Sequence, residues 1–157
     1  MKRDENLQPL SRQHHNGLLM TLLLSKGVKR NADLNVMADF IIDWWKKELN
    51  QHFIMEEEVL IPTLKKKQFD PVLTDRLLSE HFEIRSIINK ITGGNFTVAD
   101  ITDFADLLEK HIRFEERTFF PEAEKRLSHA ELQNIGKLLH ESEDSNCINY
   151  PIKFWEK

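Results

Sequence analysis

Two segments of this chain carry the same donor groups at the same spacing. Residues 52–62 read HFIMEEEVLIP and residues 111–121 read HIRFEERTFFP. His52 and Glu56 align with His111 and Glu115 at a shift of 59 residues, as do Glu57 with Glu116 and Pro62 with Pro121. Two more histidines sit in related short contexts, LSRQHH (10–15) and LLSEHF (77–82). Imidazole nitrogen and carboxylate oxygen together are good ligands for first-row divalent metals. His-x3-Glu placed twice, with single histidines placed twice more, reads as a set built to hold two metal ions.

The positions of these residues on their helices strengthen that reading. Residues i and i+4 lie on one helical face about a turn apart. In the second helix the apolar stripe runs Ile41, Trp45, Glu48, His52, Glu56, Val59, and in the fourth it runs Phe104, Leu108, His111, Glu115, Phe119. His81 shares its stripe with Leu77, Ile84 and Ile88, and His14 shares one with Leu7, Leu10, Leu18 and Thr21. A carboxylate on a core-facing stripe costs several kcal/mol if unpaired, or takes up a proton. Two cations relieve two such carboxylates and four neutral imidazoles at once. If Glu56 and Glu115 both bridge, each ion receives two imidazole nitrogens and two carboxylate oxygens, with positions left for a small molecule. The donor mixture suits iron, and manganese or zinc also fit. His14 is preferred over His15, whose upstream face carries Gln8, Ser11 and Arg12. The competing expectation is a metal-free polar network that merely sets helix register.

Helices must position these groups, and their signals are dense. Pro9 opens a first helix, about 9–28, ending near Gly27. Asn31 or Asp33 caps a second, which Pro62 is expected to kink or end. Asp70-Pro71 opens a third that Gly93-Gly94 stops near Ile91. Thr97 caps a fourth, reaching Pro121 or beyond, and Ser128 with Glu131 forms a capping box for a short fifth. The expected fold is all-α: an up-down-up-down four-helix bundle over about 9–126, then a short helix and an irregular tail over 127–157, in one domain spanning 1–157. The tail, NYPIKFWEK, is expected to lie on the bundle as a strap or to serve a homodimer contact.

Bulk properties exclude several functions. A net charge of −4 with mixed charges offers no general attraction for nucleic acid or anionic lipid. The single cysteine, Cys147, forbids an intrachain disulfide and fits a reducing compartment. The segment Leu18–Leu24 is too short to span a bilayer, and MKRDENLQPL has no apolar signal region, so cytoplasm is the expected location. Glu57, Glu58 and Glu116 read as solvated charge at the bundle edge, with Glu57 reaching a metal only if the helix rotates. Glu48 either accepts from the distal nitrogen of a ligating histidine or lies at the surface; its counterpart in the second half is Leu107. His129 and His140 read as surface groups. The only tyrosine, Tyr150, falls outside the bundle, so a tyrosyl radical has no evident residue.

On the His14 context, H52FIMEEEVLIP, Glu80-His81 and H111IRFEERTFFP, the chain resembles the hemerythrin-like HHE cation-binding family. The resemblance covers roughly 9–126 and implies a four-helix bundle around a non-haem di-iron centre. By position it implies His14, His52, Glu56, His81, His111 and Glu115 as ligands, with both glutamates bridging. Oxygen-carrying members have a fifth histidine four residues from the other on the third helix. Here those positions are Leu77 and Arg85, which turns the expectation from reversible oxygen transport towards iron repair, iron sensing or nitric oxide response. The expected ligands are dioxygen, nitric oxide or peroxide, in a binding, sensing or redox-handling protein more than a dedicated enzyme. Iron storage or delivery is the alternative, and any signalling or redox output requires a partner.

Overall fold

The computed structural model describes residues 2–142 and 152–156, which leaves Cys147 and Tyr150 outside the described part. Its described residues form helices and no strands. Helix α1 is Gln8–Lys29, α2 covers 34–65, α3 is Pro71–Thr92, α4 covers 98–126 and α5 is His129–Ser142. The connections between the first four are four to five residues long, which makes sequence neighbours antiparallel. None of the described helices is long and apolar enough to cross a membrane.

The caps follow from short polar side chains beside unsatisfied amides. Asp33 accepts from the N–H groups of Asn35 and Val36 at 2.8 and 3.2 Å and starts α2. Asp70 accepts from Val72 N–H at 2.9 Å ahead of Pro71 and starts α3. Asp100 accepts from Thr97 N–H at 2.8 Å, and Ser128 and Glu131 bond each other's backbone at 3.1 and 2.9 Å. Asn31 has a different task from the one expected as a cap. It takes the left-handed conformation (φ 56°), and Ala32 N–H donates to Gly27 O while Asn31 N–H donates to Val28 O, closing the C-terminus of α1. Gly27 therefore lies inside α1. A Cβ there would sit 2.7 Å from the Phe154 ring and 2.8 Å from Met37 Sδ, so the glycine makes room for a core contact.

Pro62 does not end α2. The helix runs on to Lys65 and closes at left-handed Gln68 (φ 57°), where Phe69 N–H donates to Leu64 O. Proline breaks a helix because its ring meets the carbonyl four residues back and its nitrogen donates nothing. Here residues Glu56–Leu60 form a π turn in which Ile61 N–H donates to Glu56 O, five residues back. The wider turn shifts the register just before the proline. The same happens in α4, where Glu115–Phe119 is a π turn and Phe120 N–H donates to Glu115 O ahead of Pro121. Each of these two wide turns begins on the glutamate of a His-x3-Glu pair.

Two apolar clusters fill the interior. One holds Met20, Leu24, Phe40, Ile41, Phe53, Ile84, Phe104 and Leu108, with Phe154 of the tail against Phe40. The other holds Leu7, Leu10, Leu60, Leu77, Phe119, Phe120 and, from α5, Leu132 and Ile135. Along every one of the four long helices a belt of buried polar residues separates them: His14, His52 with Glu56, His81, and His111 with Glu115.

Candidate metal centre

The belt is a single cluster. His14, His52, Glu56, His81, His111 and Glu115 are each at most 4% exposed. Their ligand atoms fall into two groups, His14, His52, Glu56, Glu115 and His81, His111, Glu56, Glu115, each with its atoms within 4.8 Å of one another. Both carboxylates belong to both groups. Glu56 Oε1 lies 3.4 Å from His52 Nε2 and 3.1 Å from His81 Nε2; Glu115 Oε1 lies 3.3 Å from His14 Nε2 and 2.7 Å from His111 Nε2. Each glutamate thus faces one histidine from each half of the chain. His15 is exposed, as are His129 and His140.

All four imidazoles turn Nε2 to the centre, and every Nδ1 is held by the neighbouring helix. Gln13 on α1 accepts from His52 on α2 at 2.7 Å. Glu57 on α2 takes His81 on α3 at 2.6 Å, and Glu80 on α3 takes His111 on α4 at 2.8 Å. Glu116 on α4 takes His14 on α1 at 2.9 Å. The four contacts close a ring around the bundle, each helix fixing the ring nitrogen of the next. Arg85 braces Glu57, Arg76 braces Glu80, and Ser11 donates to Glu116. Such contacts set the tautomer that leaves Nε2 free to ligate and raise its basicity.

Two of these four holding residues, Glu57 and Glu116, correct the sequence reading, and the other two, Gln13 and Glu80, were assigned no role in it. Glu57 and Glu116 are half-buried hydrogen-bond acceptors, and only Glu58 is solvated. Their signal was present in the 59-residue repeat, one position behind each paired glutamate. Gln13 and Glu80 likewise directly precede His14 and His81. Glu48 is also buried, at 5% exposure, and accepts from Trp44 Nε1 at 3.0 Å and Asn16 Nδ2 at 3.3 Å; the acceptor of the His52 Nδ1–H is Gln13.

The electrostatics show how poorly protein alone satisfies this cluster. Burial, then repulsion from Glu115, pushes the Glu56 carboxyl well above its usual range. Burial would also raise Glu115, but His111 beside it prevails and holds it well below. Burial pulls His111 down, yet Glu115 and Glu80 drive it up to about 9. His52 is lowered well below the ordinary imidazole value by burial and the adjacent His14. Burial and the nearby His111 leave His81 lowered as well, despite Glu57. Glu57 itself, against the effect of burial, is brought to about 2 by His81 and Arg85.

His111 Nε2 and Glu115 Oε1 stand 2.7 Å apart without hydrogen-bond alignment, and Glu56 Oε2 and both oxygens of Glu115 also lack a partner. Buried polar atoms are rarely left so. Four unpartnered donor atoms crowded among the other imidazole nitrogens suit a cation placed among them, so the donor set fits metal ions.

A small cavity adjoins the cluster, lined by Gln13, His14, Glu48, His52 and His111 with apolar Trp44, Phe53, Leu108 and Ile112. Apolar walls thus border one side of the belt.

No curated protein and no solved structure matches the chain. The family model for the hemerythrin HHE cation-binding domain matches residues 7–123, the stretch that contains α1, α2, α3, all of α4 but its last three residues, and the whole polar belt. The chain belongs to the hemerythrin HHE cation-binding family.

Proposed function

We propose that the polar belt holds two iron ions, with His14 and His52 on one, His81 and His111 on the other, and Glu56 and Glu115 shared. The observation that carries this is the sharing itself: two four-residue donor groups with both carboxylates in common. Manganese or zinc fits the same donors. An iron pair supplies electrons for binding or reducing dioxygen, nitric oxide or peroxide. The chain's own residues do the rest. The Nδ1 contacts hold the imidazoles in the ligating tautomer. Trp44, Phe53, Leu108 and Ile112 keep the adjoining cavity dry, and its size limits the ligand to a small molecule. The chain is then a binding or redox-handling protein.

Metal analysis of the purified protein tests this. Wild type should carry two ions per chain after anaerobic loading with Fe(II), and Glu56→Ala should carry at most one. Equal iron content in the two proteins overturns the shared-carboxylate arrangement. Visible absorption of the iron-loaded protein, recorded before and after exposure to dioxygen, nitric oxide or peroxide, identifies the small molecule.

A further inference from the structure

The ring of Nδ1 contacts has one odd member. Three histidines are held by carboxylates, Glu57, Glu80 and Glu116, whereas His52 is held by the amide of Gln13. The odd member has a direct counterpart. Gln13 precedes His14 as Glu80 precedes His81, and each reaches the His-x3-Glu histidine on the next helix, at 2.7 and 2.8 Å. The geometry is conserved between the halves and the charge is not.

We infer that Gln13 makes the two metal positions unequal, so that the ion on His14 and His52 is the more weakly held and the one that exchanges. The inference rests on the two-ion reading above. An imidazole whose Nδ1–H donates to a carboxylate carries more electron density on Nε2 than one donating to a neutral amide. The His81–His111 position has two such carboxylates and the His14–His52 position has one. Arg76 does not cancel the difference. It bonds Glu80 Oε2 and leaves Oε1 for His111, and its side chain is about half exposed, where water screens its charge. Gln13 is therefore a positioning residue that also sets ligand strength. It lines the small cavity beside the cluster together with His14 and His52.

Zn(II) added to metal-free, 15N-labelled protein tests the inference. Zn(II) is diamagnetic, and the imidazole nitrogen resonances report which histidines are ligated. One equivalent should favour His81 and His111 about ten-fold over His14 and His52, from the size of effects seen when a ligand's hydrogen-bond partner is altered. Glu80→Gln, which preserves side-chain size, should spread the first equivalent over both positions. Gln13→Glu combined with Glu80→Gln should reverse the order. Even filling in wild type, or an order that Glu80→Gln leaves unchanged, overturns the inference while two ions still bind. Saturation at one equivalent, or binding at none of the four imidazoles, overturns instead the two-ion reading on which it rests.

Discussion

Helices α1 and α2 on one side, and α3 and α4 on the other, present the same donors with different backing. His14, His52 and Glu56 in the first half answer to His81, His111 and Glu115 in the second, and Glu57 answers to Glu116. Two places break the correspondence. Gln13 stands where the second half has Glu80, and Glu48 stands where it has Leu107. A third difference is in the backbone. Residues Trp45–Leu49 form an extra π turn in α2, with Asn50 N–H donating to Trp45 O, while the matching stretch of α4 lies in the regular α-helix Val98–Phe114. Gln13 and Glu48 both line the small cavity. The parts that would grip cations are thus duplicated, and the side chains that differ gather at that cavity. π turns are frequent at functional sites, where they re-aim side chains at little cost to the helix.

The largest effect should come from erasing the comparison altogether. Glu115→Ala removes an oxygen donor from both groups at once. It should cut bound metal from two ions to one or fewer per chain, whichever half is considered. Direct metal analysis after gel filtration checks this. Retention of two ions would show that Glu115 is not shared. His14→Ala is the contrasting case, since His14 belongs to one group only, and one tightly bound ion should survive.

A smaller effect should separate the halves. Glu57→Gln weakens the support of His81, and Glu116→Gln that of His14. Each should lower metal affinity by about 10-fold, up to about 100-fold, at its own position. Competition against a chelator of known affinity measures both. Equal weakening of both positions by either variant would mean that the two ions cannot be told apart by their backing, and would erase the contrast between the halves.

Much of this arrangement was legible in the sequence because it is periodic. The six inward donors sit on apolar stripes, and stripe membership alone predicts that they face the core. The caps at Asp33, Asp70 and Ser128 were legible too, because a short polar side chain before an apolar run has few other uses. What escaped was everything that depends on the neighbouring helix or on a change of helical register. A stripe position tells where Glu57 points on α2; it does not tell that His81 of α3 offers it an N–H. Gly27 looked like a helix end because glycine ends helices, whereas the core contact with Phe154 comes from residues more than a hundred positions away. Pro62 looked like a kink or an end because the rule for proline assumes an unbroken α register. In both halves the register had already widened, starting at the paired glutamate.

The smallest effect concerns Glu48, where the first half buries a carboxyl and the second has Leu107. Burial raises the Glu48 carboxyl above its usual range, an effect that the hydrogen bonds from Asn16 and Trp44 only partly offset. The sign of the consequence for stability follows. A carboxyl that ionises less readily folded than unfolded favours the folded state while protonated. That advantage is fully present below the ordinary carboxyl value of 4.5 and is lost as pH rises through the higher folded value. Glu48→Gln should therefore unfold like wild type near pH 4, with any difference due to the new amide alone. At neutral pH it should be more stable, by about 1 kcal/mol or less. The amide oxygen still accepts from Trp44 Nε1, so the variant keeps the shorter of the two contacts in place. Urea unfolding of the metal-free protein at the two pH values measures the difference. A stability gap that is the same at both would mean that Glu48 ionises as readily folded as unfolded, and that its surroundings are wetter than the apolar walls of the cavity imply. A gap confined to neutral pH would mark Glu48 as a buried, protonatable carboxyl beside the small cavity, a feature with no equivalent beside His81.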